Sequence, residues 1–247
     1  MKSKAFKTEI ELCARFIAAI GNDWTAYNET AGWDILLVRK DDGFQIGIQA
    51  KLKLSTDVIN QAIESEWVHT TGPDCRAVLV PWGDARGFDK ICAYAGLTII
   101  RVTAPGSDEK YIYRHNVFDP NLPTMKAGWR QEWFELAHDK RHDLPEYVPD
   151  VAAGASAPLQ LTDWKIKAIK IAVTLERRGH VTRQDFKHHG IDHRRWIAPG
   201  QGWLVVTDGR YTRGPRFPNF KAQHPVVYEQ IQADAKKWIS PEPARLI

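Results

Sequence analysis

Residues 33–51, WDILLVRKDDGFQIGIQAK, set an acid, an amide and a lysine where two short strands would bring them together. Asp34 opens an apolar run, and Asp41-Asp42-Gly43 supplies the chemistry of a turn. On the return strand, period-two alternation puts Gln49 and Lys51 on one face and Ile48 and Leu52 on the other. Unpaired charge in a buried sheet costs on the order of several kcal/mol, so the trio has little structural use. A divalent cation resolves the conflict. Mg²⁺ takes hard oxygen ligands, with one or two carboxylates and several waters, and Mn²⁺ would substitute for it. Asp34 offers the carboxylate and Gln49 a neutral side-chain oxygen. Lys51 would orient the attacking water and steady charge on a phosphate, while the cation lowers the pKa of its water. The chemistry implied is hydrolysis of a phosphodiester.

A further acid is expected from the first helix. Glu9 shares a face with Cys13, Phe16 and Ile20, which would pack on the sheet. Glu11 aligns with Ala14, Arg15 and Ala18 on a wetter face, so Glu9 is the preferred candidate. The alternative for either is an ordinary first-turn charge that favours the helix dipole.

The elements that must hold these groups follow from periodicity. Residues 5–20 read as an amphipathic helix stopped by Gly21. Residues 34–38 and 44–52 are the hairpin strands. A helix over 57–68, a strand over 77–81, a helix over 87–95 and a strand over 98–102 follow. The order is α-β-β-α-β-α-β, with strands too apolar to leave a wet face. That implies the α/β (α+β) class, a mixed sheet covered by helices on both sides. Residues 103–125 are connections with one aromatic strand candidate, YIYRH (111–115). Residues 127–141 look helical, with Trp129, Trp133, Phe134 and Leu136 as an apolar stripe. Residues 143–160, with their prolines and small residues, are the expected linker between a domain over 1–142 and a second over 161–247.

Asp34, the hairpin and Gln49-Ala50-Lys51 together resemble the PD-(D/E)xK nuclease superfamily, and more closely the Mrr-type restriction endonucleases, whose catalytic strand often carries Q-x-K. The resemblance covers roughly residues 5–103, including the preceding helix and the strand-helix-strand AVLVPWGDARGFDKICAYAGLTIIRV. It implies a restriction-endonuclease-like fold. It also implies that Asp34, Gln49 and Lys51 are metal-binding and catalytic groups, joined by a glutamate of the first helix. Gln61 corresponds to a secondary-motif glutamine or is an exposed helix residue. Gln49 stands where the superfamily more commonly has an acid.

The charge of the chain is divided. Residues 1–159 hold 18 Lys and Arg against 22 Asp and Glu, and residues 160–247 hold 16 against 8. The basic part suits an anionic partner. Its pattern is a helix over 163–179, a second over 182–190 capped by Thr182, a short third over 192–198, and a hairpin over 202–214 turning at Asp208-Gly209. That is the layout of a winged helix-turn-helix. Arg194 and Arg195 would lie on the recognition helix, and Arg210, Tyr211 and Arg213 on the wing, where DNA phosphates and bases are read. A protein-docking role is the competing reading. His188, His189 and His193 lack the spacing of a zinc site, and Trp196 and Trp203 are expected in the core.

Cys13, Cys75 and Cys92 are expected as buried free thiols. No apolar run approaches the ~20 residues of a membrane span, and no signal core is visible at the N-terminus, so a cytoplasmic protein is expected. The expected function is a Mg²⁺-dependent DNA endonuclease of restriction, defence or phage DNA processing, for which a homodimer would supply the two sites that cut both strands. The alternatives are a non-catalytic DNA-binding regulator on a decayed nuclease fold, and a nuclease of junctions or RNA.

Overall fold

The structure, a computed structural model, describes residues 6–64, 70–83, 87–106, 116–124, 132–155, 160–198, 200 and 202–240. The chain divides into one unit of Met1–Leu144 with Val151–Gln160, and another of Pro145–Asp150 with Leu161–Ile247.

In the first unit, Thr8 begins the chain's first helix by accepting from the Glu11 amide at 3.2 Å. This helix, α1 (Glu9–Ile17), is shorter than its apolar pattern, and it buries Leu12, Cys13 and Phe16. Next comes a strand that the sequence reading did not foresee, β1 (Trp24–Thr30), with a mostly half-buried pattern. The hairpin follows as β2 (Trp33–Arg39) and β3 (Gln45–Ala50). Its turn is held by Arg39, whose guanidinium makes paired bonds of 2.8 and 2.7 Å to Asp42. That contact holds the Asp42 carboxyl at about 2. Then come α2 (Thr56–Glu64), β4 (Cys75–Pro81), α3 (Asp89–Tyr94), β5 (Leu97–Val102) and a short β6 (Phe118–Asp119).

The six strands lie in the order β1-β2-β3-β4-β5-β6. The β3–β4 and β4–β5 pairs are parallel and the others antiparallel, so the sheet is mixed. Ile35, Leu37, Ile46, Ile48, Ala77 and Leu79 share a core with the inward residues of α1. Leu36, Val38, Val78, Val80 and Ile99 share another with Val58, Ile59 and Ala62 of α2 and Cys92 of α3. Alternation along the strands thus gives each face its own helices. Gly47 has a packing reason to be glycine: a Cβ there would lie 2.3 Å from the Trp33 indole, which crosses β3 at that point. Cys13, Cys75 and Cys92 are buried free thiols.

The helix expected over 127–141 is corrected where the chain is described. Residues 132–141 are irregular, with isolated bridges at Glu135 and Lys140, and 127–131 lie outside the described residues, as does YIYRH. The stripe of Trp133, Phe134 and Leu136 gave way to pairing with the base of β4. Glu135 bridges Cys75 and the Leu136 amide donates to the Asp74 carbonyl at 2.8 Å. Trp133 is still buried, and its indole N–H donates to the Asn121 carbonyl at 2.9 Å.

The stretch read as a linker belongs to both units. Glu146 pairs with Lys170 at 2.6 Å in the second, whereas Val151 accepts from the Asn28 side chain at 2.8 Å in the first. The second unit opens on α4 (Asp163–Arg178), capped by Thr162 and closed by left-handed Gly179 at φ 74°. It continues through α5 (Arg183–His188), α6 (Arg194–Ile197), and the hairpin of β7 (Leu204–Thr207) and β8 (Arg210–Arg213). Three helices that the sequence reading did not foresee follow: α7 (Phe220–Gln223), α8 (Pro225–Ala233) and α9 (Ala235–Trp238). Its core gathers Ile169, Val173, Phe186, Trp196, Tyr211, Phe220 and Ile231. Among the described residues, no helix is long and apolar enough to cross a membrane.

Candidate active site

The hairpin register sets the row in which the chemistry lies. Ile35 faces Ile48 across β2 and β3, and one step further the same register sets Asp34 opposite Gln49. Asp34 is half-buried, and its Oδ2 accepts the Ala50 amide at 2.7 Å. Burial raises the Asp34 carboxyl above its ordinary range, outweighing the Ala50 amide and the nearby Lys51, and Glu9 adds to the rise. Gln49 is buried, and its Nε2 donates to the Gly32 carbonyl at 2.8 Å. The amide plane therefore turns Oε1 away from that bond, and among the described residues Oε1 accepts none.

Lys51 lies one residue past the end of β3. Its amide donates to the Leu79 carbonyl at 3.0 Å, and its ammonium reaches Glu9 Oε2 on α1 at 3.0 Å. This ion pair separates the two glutamates. Glu9 faces the strand ends, whereas exposed Glu11 accepts the Lys7 amide at 2.7 Å. Asp34, Gln49, Lys51 and Glu9 thus gather at one end of the sheet. Gln61 is exposed on α2.

A second carboxylate beside Asp34 was absent from the sequence reading. Glu29, near the end of β1, is 9% exposed and holds φ 50°, a left-handed backbone that is uncommon for such a residue. The pairs Asn28–Ile35 and Thr30–Trp33 bracket it directly across from Asp34. Its Oε1 accepts the Gly154 amide at 2.8 Å. Burial, then the charge of Asp34, raises the Glu29 carboxyl, against the amides of Gly154 and Ala155 and the charge of Lys51. Burial and the same acids push the Cys13 thiol upward. Only the turn signal Thr30-Ala31-Gly32 hinted that a strand preceded Trp33.

Among the described residues, no three His, Cys, Asp or Glu side chains are grouped as a metal cage. The donor set fits a looser ion. One carboxylate and one unbonded amide oxygen are hard ligands of the kind that hold Mg²⁺ while it keeps most of its water. Like charges crowding Asp34 would also be relieved by a cation.

In the second unit the basic side chains differ in availability. Arg194 is exposed but bound to Asp192 by paired contacts of 2.8 and 3.1 Å. Arg195 and Arg210 are exposed. Arg213 is exposed, with its guanidinium 5.0 Å over the Phe217 ring. Tyr211 is buried, stacked on His193 at 5.7 Å, and its backbone pairs with Val181, so its ring offers no surface to a ligand. His188 bonds the Trp238 carbonyl at 2.9 Å and His189 packs on the Trp238 ring. Trp196 is fully buried against Phe186 and Trp203.

No family model matches the chain, and neither does any curated protein or solved structure.

Proposed function

We propose that this chain is a metal-dependent DNA endonuclease with a restriction-endonuclease-like core and a winged-helix DNA-binding module. The observation that carries the reading is the meeting of Asp34, Gln49, Lys51 and Glu9 at one end of a mixed sheet. Asp34 and the Gln49 oxygen would hold Mg²⁺ or Mn²⁺, which supplies Lewis acidity toward a phosphate and its attacking water. Lys51 faces the same space with an ammonium that would orient that water and balance charge on the phosphate. Glu9 restrains this ammonium until substrate competes for it. Arg195, Arg210 and Arg213, exposed in the basic part of the chain, would take the duplex backbone.

Supercoiled plasmid, branched DNA and RNA incubated with Mg²⁺ or Mn²⁺ test the reading. Nicking or linearisation of plasmid is expected. Lys51→Ala should lower the rate by about 10²–10³-fold, and Asp34→Ala should abolish metal-dependent cutting, while both retain DNA affinity. No cutting of any substrate by folded protein would sink the enzyme reading. The Glu9–Lys51 ion pair favours a second reading, a DNA-binding protein without catalysis. Under it Lys51→Ala leaves DNA affinity intact and there is no cutting to lose.

A further inference from the structure

We infer that Glu29 is the second carboxylate of the candidate ion site, taking the place of the acid that the hairpin lacks at Gln49. The inference rests on the nuclease reading and adds a residue that the hairpin motif does not contain.

The pairs Asn28–Ile35 and Thr30–Trp33 bracket Glu29 on β1 and Asp34 on β2. Asp34 and Gln49 lie one step beyond the Ile35–Ile48 pair of β2 and β3, so the three lie side by side at the ends of adjacent strands. Residues directly opposite in an antiparallel pair have Cα atoms about 4.5–5.5 Å apart. A charge at the Glu29 end of that row therefore acts on the same space as a charge at the Gln49 end. Gln49 is only 8% exposed, and its Oε1 has no protein partner among the described residues. An amide oxygen that the protein itself does not engage is available to ligate a cation. A cation in the row would satisfy this oxygen and the two carboxylates together.

Glu29 is also held for the task. Its left-handed backbone is carried by a residue with a full side chain, which the surrounding structure must impose. The Gly154 amide fixes Oε1 and the Ala155 amide also bears on the carboxylate, which keeps lone pairs for another partner. Gly154 itself is packed so tightly on α1 that a Cβ would lie 3.1 Å from the Glu9 Cβ and 3.2 Å from the Cys13 sulphur. The segment that orients Glu29 thus rests on the helix that supplies Glu9.

Mn²⁺ titration of the full chain by calorimetry, without nucleic acid, tests the assignment. Glu29→Gln should weaken Mn²⁺ binding by about 10–100-fold, as loss of a partner around a metal usually does. The double variant Glu29→Gln with Gln49→Glu should recover most of that loss, because it moves the acid from one end of the row to the other. Plasmid cutting should follow the same order. Wild-type affinity in Glu29→Gln would overturn the inference, and so would a loss that Gln49→Glu does not repair. If Glu29→Gln does not fold, Glu29→Asp decides: the shortened carboxylate should bind Mn²⁺ several-fold more weakly than wild type, and unchanged binding would overturn the inference. The nuclease reading fails differently. Then wild type neither cuts nor binds Mn²⁺, and Asp34→Asn changes nothing.

Discussion

Two aspartates, one buried and one half-buried and each in its own unit, show how differently the same side chain is treated. Asp185 in α5 is 1% exposed and has a partner in every direction. It accepts from the Thr182 amide and hydroxyl at 2.8 Å each, from Arg178 at 3.0 Å and from the Ser240 hydroxyl. Burial pushes its carboxyl up, but these donors outweigh it and the net shift is downward. Among the described residues Asp34 has one hydrogen bond, to the Ala50 amide, with Glu9 and Glu29 nearby, and its net shift is upward. Asp185 is architecture, since its charge is fully answered within the protein. The charge of Asp34 is answered only in part, by the Ala50 amide and Lys51, as the proposed metal-binding role requires.

The largest effect that would test this contrast is Asp185→Ala. It leaves the Arg178 guanidinium, whose side chain is 14% exposed, with the Ser240 carbonyl but without its acid, and leaves the Ser240 and Thr182 hydroxyls without that acceptor. Removing one partner of such a buried pair typically costs about 3–5 kcal/mol. Hydrogen exchange should show α4 and α5 losing protection while the six-stranded sheet keeps its own. A loss below about 1 kcal/mol would mean that the network is not structural and would break the comparison. Next in size is Gly47→Ala, which separates architecture from chemistry within the first unit. The added methyl meets the Trp33 ring two residues from Gln49. Overpacking of this kind typically costs about 1–3 kcal/mol. Urea unfolding followed through Trp33 should register it in the first unit alone.

The comparison also explains what could be read from the chain. The β2–β3 hairpin was legible because its signals are local: an apolar run, an Asp-Asp-Gly turn and a return run. Helix α4 and the Thr182–Asp185 cap were legible for the same reason, since Thr162, Gly179 and Thr182 act within a few residues. β1 was not. As an edge strand that pairs only with β2 among the described residues, it has a half-buried pattern without apolar alternation. Missing β1 meant missing Glu29, whose importance lies wholly in facing Asp34. Residues 132–141 misled because Trp133, Phe134 and Leu136 have helical spacing, while the backbone partners of Glu135 and Leu136, Cys75 and Asp74, lie some sixty residues upstream. In the candidate site, Asp34, Gln49, Lys51 and Glu9 came from local pattern, and only the strand pairing could suggest the proposed fifth residue, Glu29.

The smallest effect is the most telling, because its sign opposes the first. Asp34→Asn removes a charge that burial and Glu9 disfavour, so it should stabilise the first unit, by an amount on the order of 1 kcal/mol. The pH dependence follows from the direction of each shift. Asp34 has a folded pKa above its ordinary value of 3.8, so its contribution is fully present below that value and is lost as pH rises through the folded pKa. Asp185 has a folded pKa below 3.8, so its contribution is present above that value and is lost as pH falls through the folded one. Acidification from pH 7 toward 3 should therefore narrow the gap between Asp34→Asn and wild type in the first unit. Over the same range it should begin to unfold α4 and α5 in the second. Metal reverses the first trend only: millimolar Mn²⁺ should stabilise wild type at pH 7 and leave Asp34→Asn unmoved, since ligation of the folded state adds to stability by mass action. A wild type that gains nothing from Mn²⁺, together with an Asp34→Asn that is less stable at neutral pH, would place Asp34 beside Asp185 as a structural acid.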